Sequence, residues 1–130
     1  YATLTGACMV AVGTYTSGLM GYNDELKAEF KKQATKAGEL TCQLDFNKYL
    51  EAKIQSHIAD ISNTGKDRYA GAQTAGIFLS NFLTKENKKK WMHVDIAGPA
   101  YSEQAWGYNP AGGSGAGVRM TSTWLQSLSK

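Results

Sequence analysis

Hydrophobic positions in this chain fall into short blocks of two kinds, separated by glycine and polar residues. Cys8-Met9-Val10-Ala11-Val12 is an unbroken apolar run closed by Gly13. A run of that length without alternation predicts a strand buried on both faces, and therefore a parallel or mixed sheet. Asn23, Asp24 and Glu25 then offer a cap and an acidic first turn, and Leu26, Phe30, Ala34 and Ala37 recur on one face before Gly38. That spacing predicts a helix. Its other face carries Lys27, Lys31, Lys32 and Lys36, expected to lie in solvent.

Leu40 to Phe46 reads as extended, and Asn47 as the cap of a helix through Tyr49, Leu50 and Ile54. Leu50, Ile54, His57, Ile58 and Ile61 keep helical spacing, so the residues alone leave open a longer helix or an early stop. Ser62 to Arg68 is a polar loop, and Gly71 to Leu83 a second strong helix. Ala72, Ala75, Gly76, Leu79 and Leu83 form one face of it, while Ile77, Phe78 and Phe82 make much of the rest apolar. A helix apolar nearly all round is expected to be buried. After a charged connection from Lys85 to Lys90, Met92, Val94 and Ile96 alternate with His93 and Asp95, which predicts a strand ended by Gly98-Pro99. Tyr101 to Gly117 reads as a long loop, and Met120, Trp124, Leu125 and Leu128 as a terminal amphipathic helix. The order predicts an α/β fold, a mixed sheet flanked by helices.

Composition narrows the class without changing that picture. The 130 residues, 42% hydrophobic and 19% charged, fit one globular domain. Cys8 and Cys42 are too few for a disulfide scaffold and favour a reduced, cytoplasmic setting. No apolar run approaches the roughly 18 residues of a membrane span, and no tripartite leader opens the chain, so no membrane partner is expected. A net charge of +3 gives weak support for an anionic partner. Tyr1-Ala2-Thr3-Leu4-Thr5-Gly6 has no initiator Met and reads like the interior of a strand, so a piece of a longer polypeptide is expected.

Several groups invite chemistry and fall short of it. His93 and Asp95 are two apart on a predicted strand, so they share a face and could touch one metal ion. A catalytic zinc needs three protein ligands, and His57 has no partner at useful spacing, so hydrogen-bonded structural roles are expected for both. Cys8 sits in an apolar run that raises a thiol pKa, against a Cys-His nucleophile. Thr3, Thr5 and Ser17 lack the Gly-x-Ser-x-Gly turn of a nucleophile elbow. Gly112 to Gly117 follows no strand and carries no Walker lysine, so it reads as a flexible loop rather than a phosphate cradle; Arg119 beyond it could pair with an acidic residue or a ligand carboxylate. Lys85, Lys88, Lys89, Lys90 and Trp91 give a minimal nucleic-acid footprint without a recognition motif.

Four ordered blocks carry a resemblance: Ala2-Thr3-Leu4-Thr5-Gly6-Ala7; Ala59-Asp60 with Asn63, Gly65, Arg68 and Ala70-Gly71-Ala72; His93-Val94-Asp95-Ile96-Ala97-Gly98; and Gly117-Val118-Arg119. Along essentially its whole length the chain resembles the leucyl (cytosol) aminopeptidases, two-metal exopeptidases. The resemblance implies that residues 1–130 are the C-terminal portion of the peptidase catalytic domain. The family's Asn-Thr-Asp-Ala-Glu-Gly-Arg metal-binding motif is absent, as is its N-terminal domain, so no metal ligand and no catalytic residue is expected here. In the whole enzyme it implies two divalent ions, Zn or Mn, a peptide substrate, the N-terminal remainder of the same enzyme as partner, and a homo-hexamer in the cytoplasm. It places Thr3, Gly6, Ala97 and Ala100 on the pocket for the N-terminal side chain, with the Leu4 carbonyl and Gly6 N–H holding the peptide. It also implies that the helix after Asn47 stops near Ser56. Ala100 stands where some members carry methionine, which implies a roomier pocket. The alternative function is a noncatalytic nucleic-acid-binding or oligomer-scaffold module using Lys88 to Lys90.

Overall fold

The computed structural model describes residues 1–4 and 6–129. Thr5, part of the extended opening segment and one of the hydroxyls weighed for nucleophilic chemistry, lies outside the described residues, as does Lys130. The elements are α1 (Gly6–Val12), β1 (Thr16–Met20), α2 (Asp24–Lys36), β2 (Leu40–Gln43), α3 (Lys48–Glu51), α4 (Gly71–Ser80), α5 (Lys85–Lys88), β3 (His93–Asp95), β4 (Tyr101–Ser102), β5 (Gly112–Gly113) and α6 (Val118–Leu128). A tight 3₁₀ turn, Ala52–Ile54, extends α3. The main sheet has strand order β2-β1-β3, with β1 parallel to β2 and antiparallel to β3. Ala2 bridges to Asp95 in parallel, so the opening segment lies along the free edge of β3. The expected mixed sheet flanked by helices is what forms.

Side chains alternate across the sheet and separate two cores. Leu19 and Val94 face Phe30 and Ala34 of α2 and Met120 of α6, joined by Trp124, whose ring meets Phe30 edge-on at 5.5 Å. Met20 faces the other way, toward Cys8 of α1 and Ala72 of α4, with Leu44 and Phe46. The sheet is therefore covered on both faces, as a partly parallel sheet requires.

The apolar run at Cys8 is where expectation and structure part. It is helix α1, not a strand: Cys8 faces inward while Val10 is 90% exposed, and Gly13, at φ 83°, closes it with its N–H on the Met9 carbonyl at 2.9 Å. A short unbroken apolar run has no period of its own, so it fits a strand or one and a half helical turns equally well. The strand lies further on, at Thr16–Met20, disguised by Thr16, Ser17 and Gly18. Gly18 is required there: a Cβ would sit 2.9 Å from Cys8 Sγ and 3.2 Å from Leu44 Cδ1.

The other helices begin and end where polar caps specify. Asn23 Oδ1 accepts the Leu26 N–H at 3.0 Å and starts α2, and Asn47 Oδ1 accepts from Tyr49 and Leu50 to start α3. The helix after Asn47 ends at Ile54, whose carbonyl accepts the Ser62 N–H at 2.7 Å, and Ile58 is 98% exposed in the loop beyond. The early stop holds and the longer helix does not form. Lys27 corrects a second expectation. It is 1% exposed rather than solvated, its Nζ 2.6 Å from Asp45 and 2.9 Å from Asp24. Burial alone lowers its pKa, and the hydrogen bonds and charges of Asp45 and Asp24 together outweigh that and raise it.

Candidate functional site

The opening segment lies along β3 and reaches the turn that follows it. Ala2 donates its N–H to the Val94 carbonyl at 3.1 Å and accepts from Ile96 N–H at 3.0 Å, continuing the sheet by one bridge. Asp95, 0% exposed, accepts the Ala97 N–H on Oδ1 at 3.0 Å, while its Oδ2 finds no hydrogen-bond partner among the described residues. The turn is fixed again at Ala100, which donates to Ile96 O at 3.0 Å and accepts from Ser114 N–H at 3.1 Å. Gly98 lets it close on the α1–β1 loop: a Cβ there would lie 2.8 Å from the Thr14 carbonyl oxygen and 3.0 Å from that of Gly13.

Beside this turn is an open depression of about 440 Å³ lined by Met9, Thr14, Tyr15, Ala97, Gly98 and Tyr101, among others. Of the five residues expected from the sequence, Ala97 faces it. Thr3 and Gly6 are exposed and Leu4 and Ala100 half-buried, none of the four lining that depression. Tyr15 and Tyr101 went unnoticed in the sequence, where only their exposure as large aromatics could have marked them. Tyr15 packs against Trp106 with the rings tilted by 35° and their centroids 4.5 Å apart. Tyr101 opens β4, which pairs antiparallel with β5, so the glycines at 112 and 113 form a strand pair rather than a wholly flexible loop.

Burial sets the electrostatics of β3. His93, 3% exposed and stacked on Trp91, has its pKa pushed down to about 4, first by burial and then by the nearby amino terminus. It is neutral at pH 7. Its Nε2 finds no hydrogen-bond partner among the described residues, so the hydrogen-bonded role expected for His93 does not extend to that nitrogen. Burial raises the Asp95 pKa, against the lowering effect of the Ala97 and Leu4 N–H groups. Burial likewise pushes the Cys8 thiol up to about 11, and Asp95 nearby adds to it, so Cys8 is a protonated, unreactive packing residue.

The side chains here do not fit a metal centre. Among the described residues no three His, Cys, Asp or Glu side chains gather where they could hold an ion. His93 and Asp95 share a face of β3, but Asp95 Oδ1 is engaged with the Ala97 N–H. The remaining charges have local work. Glu39 receives the Gly117 and Met120 N–H groups at 2.7 and 3.1 Å, and Arg119 lies 3.7 Å from it and over the Tyr108 ring. In the lysine cluster, Lys90 pairs with Glu86 at 2.8 Å and Lys88 lies over Tyr22. No helix among the described residues is long and apolar enough to cross a membrane.

Residues 1–122 match the model of the cytosol aminopeptidase family, catalytic domain. The chain belongs to the cytosol aminopeptidase family. Among relatives of this family, the probable cytosol aminopeptidase of Helicobacter hepaticus is 59% identical over 119 residues, covering 92% of this chain and 25% of that protein. That of Wolinella succinogenes is 54% identical over 129 residues, covering 99% of this chain and 27% of the other. Similar solved structures include a tomato leucine aminopeptidase mutant, at TM-score 0.84 and 32% identity, covering 95% of this chain and 23% of that one. The bottromycin maturation enzyme BotP in complex with Mn superposes at TM-score 0.90 and 32% identity, covering 98% and 28%. The chain thus spans about a quarter of the length of the cytosol aminopeptidases it matches.

Proposed function

We propose that the whole protein removes N-terminal amino acids from peptides by metal-assisted hydrolysis, and that this chain supplies a wall of its substrate pocket. The observation that carries the reading is the match of residues 1–122 to the cytosol aminopeptidase catalytic domain. The bridge of Ala2 to β3 supports it, because it brings together two segments to which the family resemblance assigns substrate contacts. Thr3, Gly6, Ala97 and Ala100 border the N-terminal side chain, while the Leu4 carbonyl and Gly6 N–H hold the peptide backbone. Fixed backbone partners matter because a misplacement of about 1 Å costs roughly two orders of magnitude in rate.

Two divalent ions, Zn or Mn, belong to the whole enzyme; a manganese complex of the similar BotP favours such ions. Their ligands come from outside these residues, so the chain alone is inactive. We assign the assembled protein to the cytoplasm as a homo-hexamer. The nucleic-acid alternative has no comparable support, since Lys88 and Lys90 are engaged within the protein.

The test is Ala100→Met in the full-length enzyme. Narrowing the pocket lowers kcat/KM for leucine relative to alanine anilides severalfold, about 1–3 kcal/mol of discrimination being the usual worth of one or two methylenes in an apolar pocket. An unchanged ratio would refute the placement of Ala100.

A further inference from the structure

We propose that the outward face of α1, together with the cleft between it and the start of α4, is an interaction surface. In the whole protein it is filled by apolar side chains from the remainder of the same polypeptide. The inference is independent of the substrate-pocket reading above.

The helix itself is the first observation. Gly-Ala-Cys-Met-Val-Ala-Val places no polar side chain in seven positions, yet only Cys8 is buried. Val10 stands almost wholly in solvent, and Met9 and Ala11 on either side of it are exposed as well. A helix on a solvated surface carries polar residues on its outer face, whereas one that is apolar all round is covered on every side. In the same chain α2 obeys the first rule, leaving Lys31, Lys32, Thr35 and Lys36 outside. Helix α1 obeys the second in sequence and lacks its cover.

The cleft extends that face. About 550 Å³ of open space lies between α1 and the turn into α4, lined by Ala7, Val10, Ala11, Tyr69, Ala70 and Ala72, with Arg68 and Gln73. The two helices cannot fill it by drawing together, because a Cβ on Gly71 would already lie 3.0 Å from the Ala7 Cβ. Tyr69, exposed on one wall, faces the same need for cover as Val10 on the other. A continuous apolar surface of this kind marks an interaction site. The occupant follows from chain length: these residues span about a quarter of the relatives they match, so most of such a polypeptide lies outside them. A tethered segment meets the face at an effective concentration of about millimolar, which a separate copy does not reach.

The test is Val10→Cys in the full-length protein, alkylated with iodoacetamide and followed by peptide mass so that Cys8 and Cys42 are read separately. The expected rate in the native protein is lower by about a hundredfold or more than in the same protein unfolded in urea, the protection of a site reached only by local opening. Labelling within about threefold of the unfolded rate overturns the proposal. Tyr69→Cys, on the opposite wall of the cleft, gives a second reading with the same two outcomes should the first variant fail to fold. The source of the cover is read by replacing Val10 with photoreactive benzoylphenylalanine in oligomers mixed from ¹⁴N- and ¹⁵N-labelled chains. Crosslinks within one chain to residues outside these 130 support the proposal. Crosslinks between chains assign the face to a second copy and overturn it, as does the absence of any crosslink beyond the 130 residues.

Discussion

Helix α6 has no side-chain cap of its own; it borrows one from Glu39, and removing that carboxylate gives a sharp test of how the C-terminal helix is held. Gly117 precedes the helix at φ 94° and offers no oxygen from a side chain. The Glu39 carboxylate, 8% exposed just before β2, instead accepts the Gly117 N–H at 2.7 Å and the Met120 N–H at 3.1 Å. Glu39→Ala removes a helix cap worth about 1 kcal/mol and leaves two poorly solvated N–H groups at roughly 1–3 kcal/mol each when fully orphaned. Partial entry of water tempers the sum, so the expected destabilisation is about 3 kcal/mol. With a urea m-value of about 2 kcal/mol per molar, the midpoint falls by roughly 1.5 M. Glu39→Gln, keeping one acceptor oxygen, falls between. Urea titration followed by far-UV circular dichroism and by Trp124 fluorescence reads both. A midpoint shift below about 0.3 M for Glu39→Ala, in the range of an ordinary surface change, would refute the borrowed cap.

Two further predictions follow from burial near the site. His93, neutral in the fold with its pKa near 4, takes up a proton more readily when unfolded, so its contribution to stability is complete above about pH 6.5 and is lost as pH falls toward 4. At 1.36 kcal/mol per pKa unit that loss is on the order of 3 kcal/mol. Asp95, with a raised pKa, contributes in the opposite sense just above the ordinary carboxylate range, so the His93 effect is read as the difference between wild type and His93→Gln; equal pH slopes for the two proteins would contradict it. Gly98→Ala drives a Cβ against the Thr14 and Gly13 carbonyl oxygens, which are backbone and cannot swing away. It is expected to cost about 2 kcal/mol and to lower kcat/KM of the full-length enzyme; a thermal midpoint within 1 °C of wild type would show the turn is not seated there.

The parts of the fold legible in the sequence are those specified locally. Asn23 and Asn47 announce their helices because an Asx side chain caps only the residues just after it, and β3 shows its alternation because Val94 faces one core while His93 and Asp95 face the other. The parts that were not legible depend on distant partners. Cys8 to Val12 is helical because its Cys8 edge packs on Gly18 and Met20 while the opposite edge is left open. Lys27 is buried with its Nζ on Asp24, one turn before it, and on Asp45, from the loop after β2; the Asp45 partner cannot be read from the helix itself. The site divides the same way. The block around Asp95 could be singled out by its pattern. Its place beside the opening segment becomes visible only when that segment is laid along β3.

The central claim is that this chain shapes a peptidase pocket whose metal ions are held by another part of the polypeptide. Its most direct test compares the full-length protein and the isolated 130 residues in hydrolysis of leucine anilide with added Mn²⁺ or Zn²⁺. The account predicts metal-dependent release of leucine by the full-length enzyme and none above background by the isolated chain. Comparable turnover by the isolated chain, or none by the metal-loaded full-length protein, would contradict it.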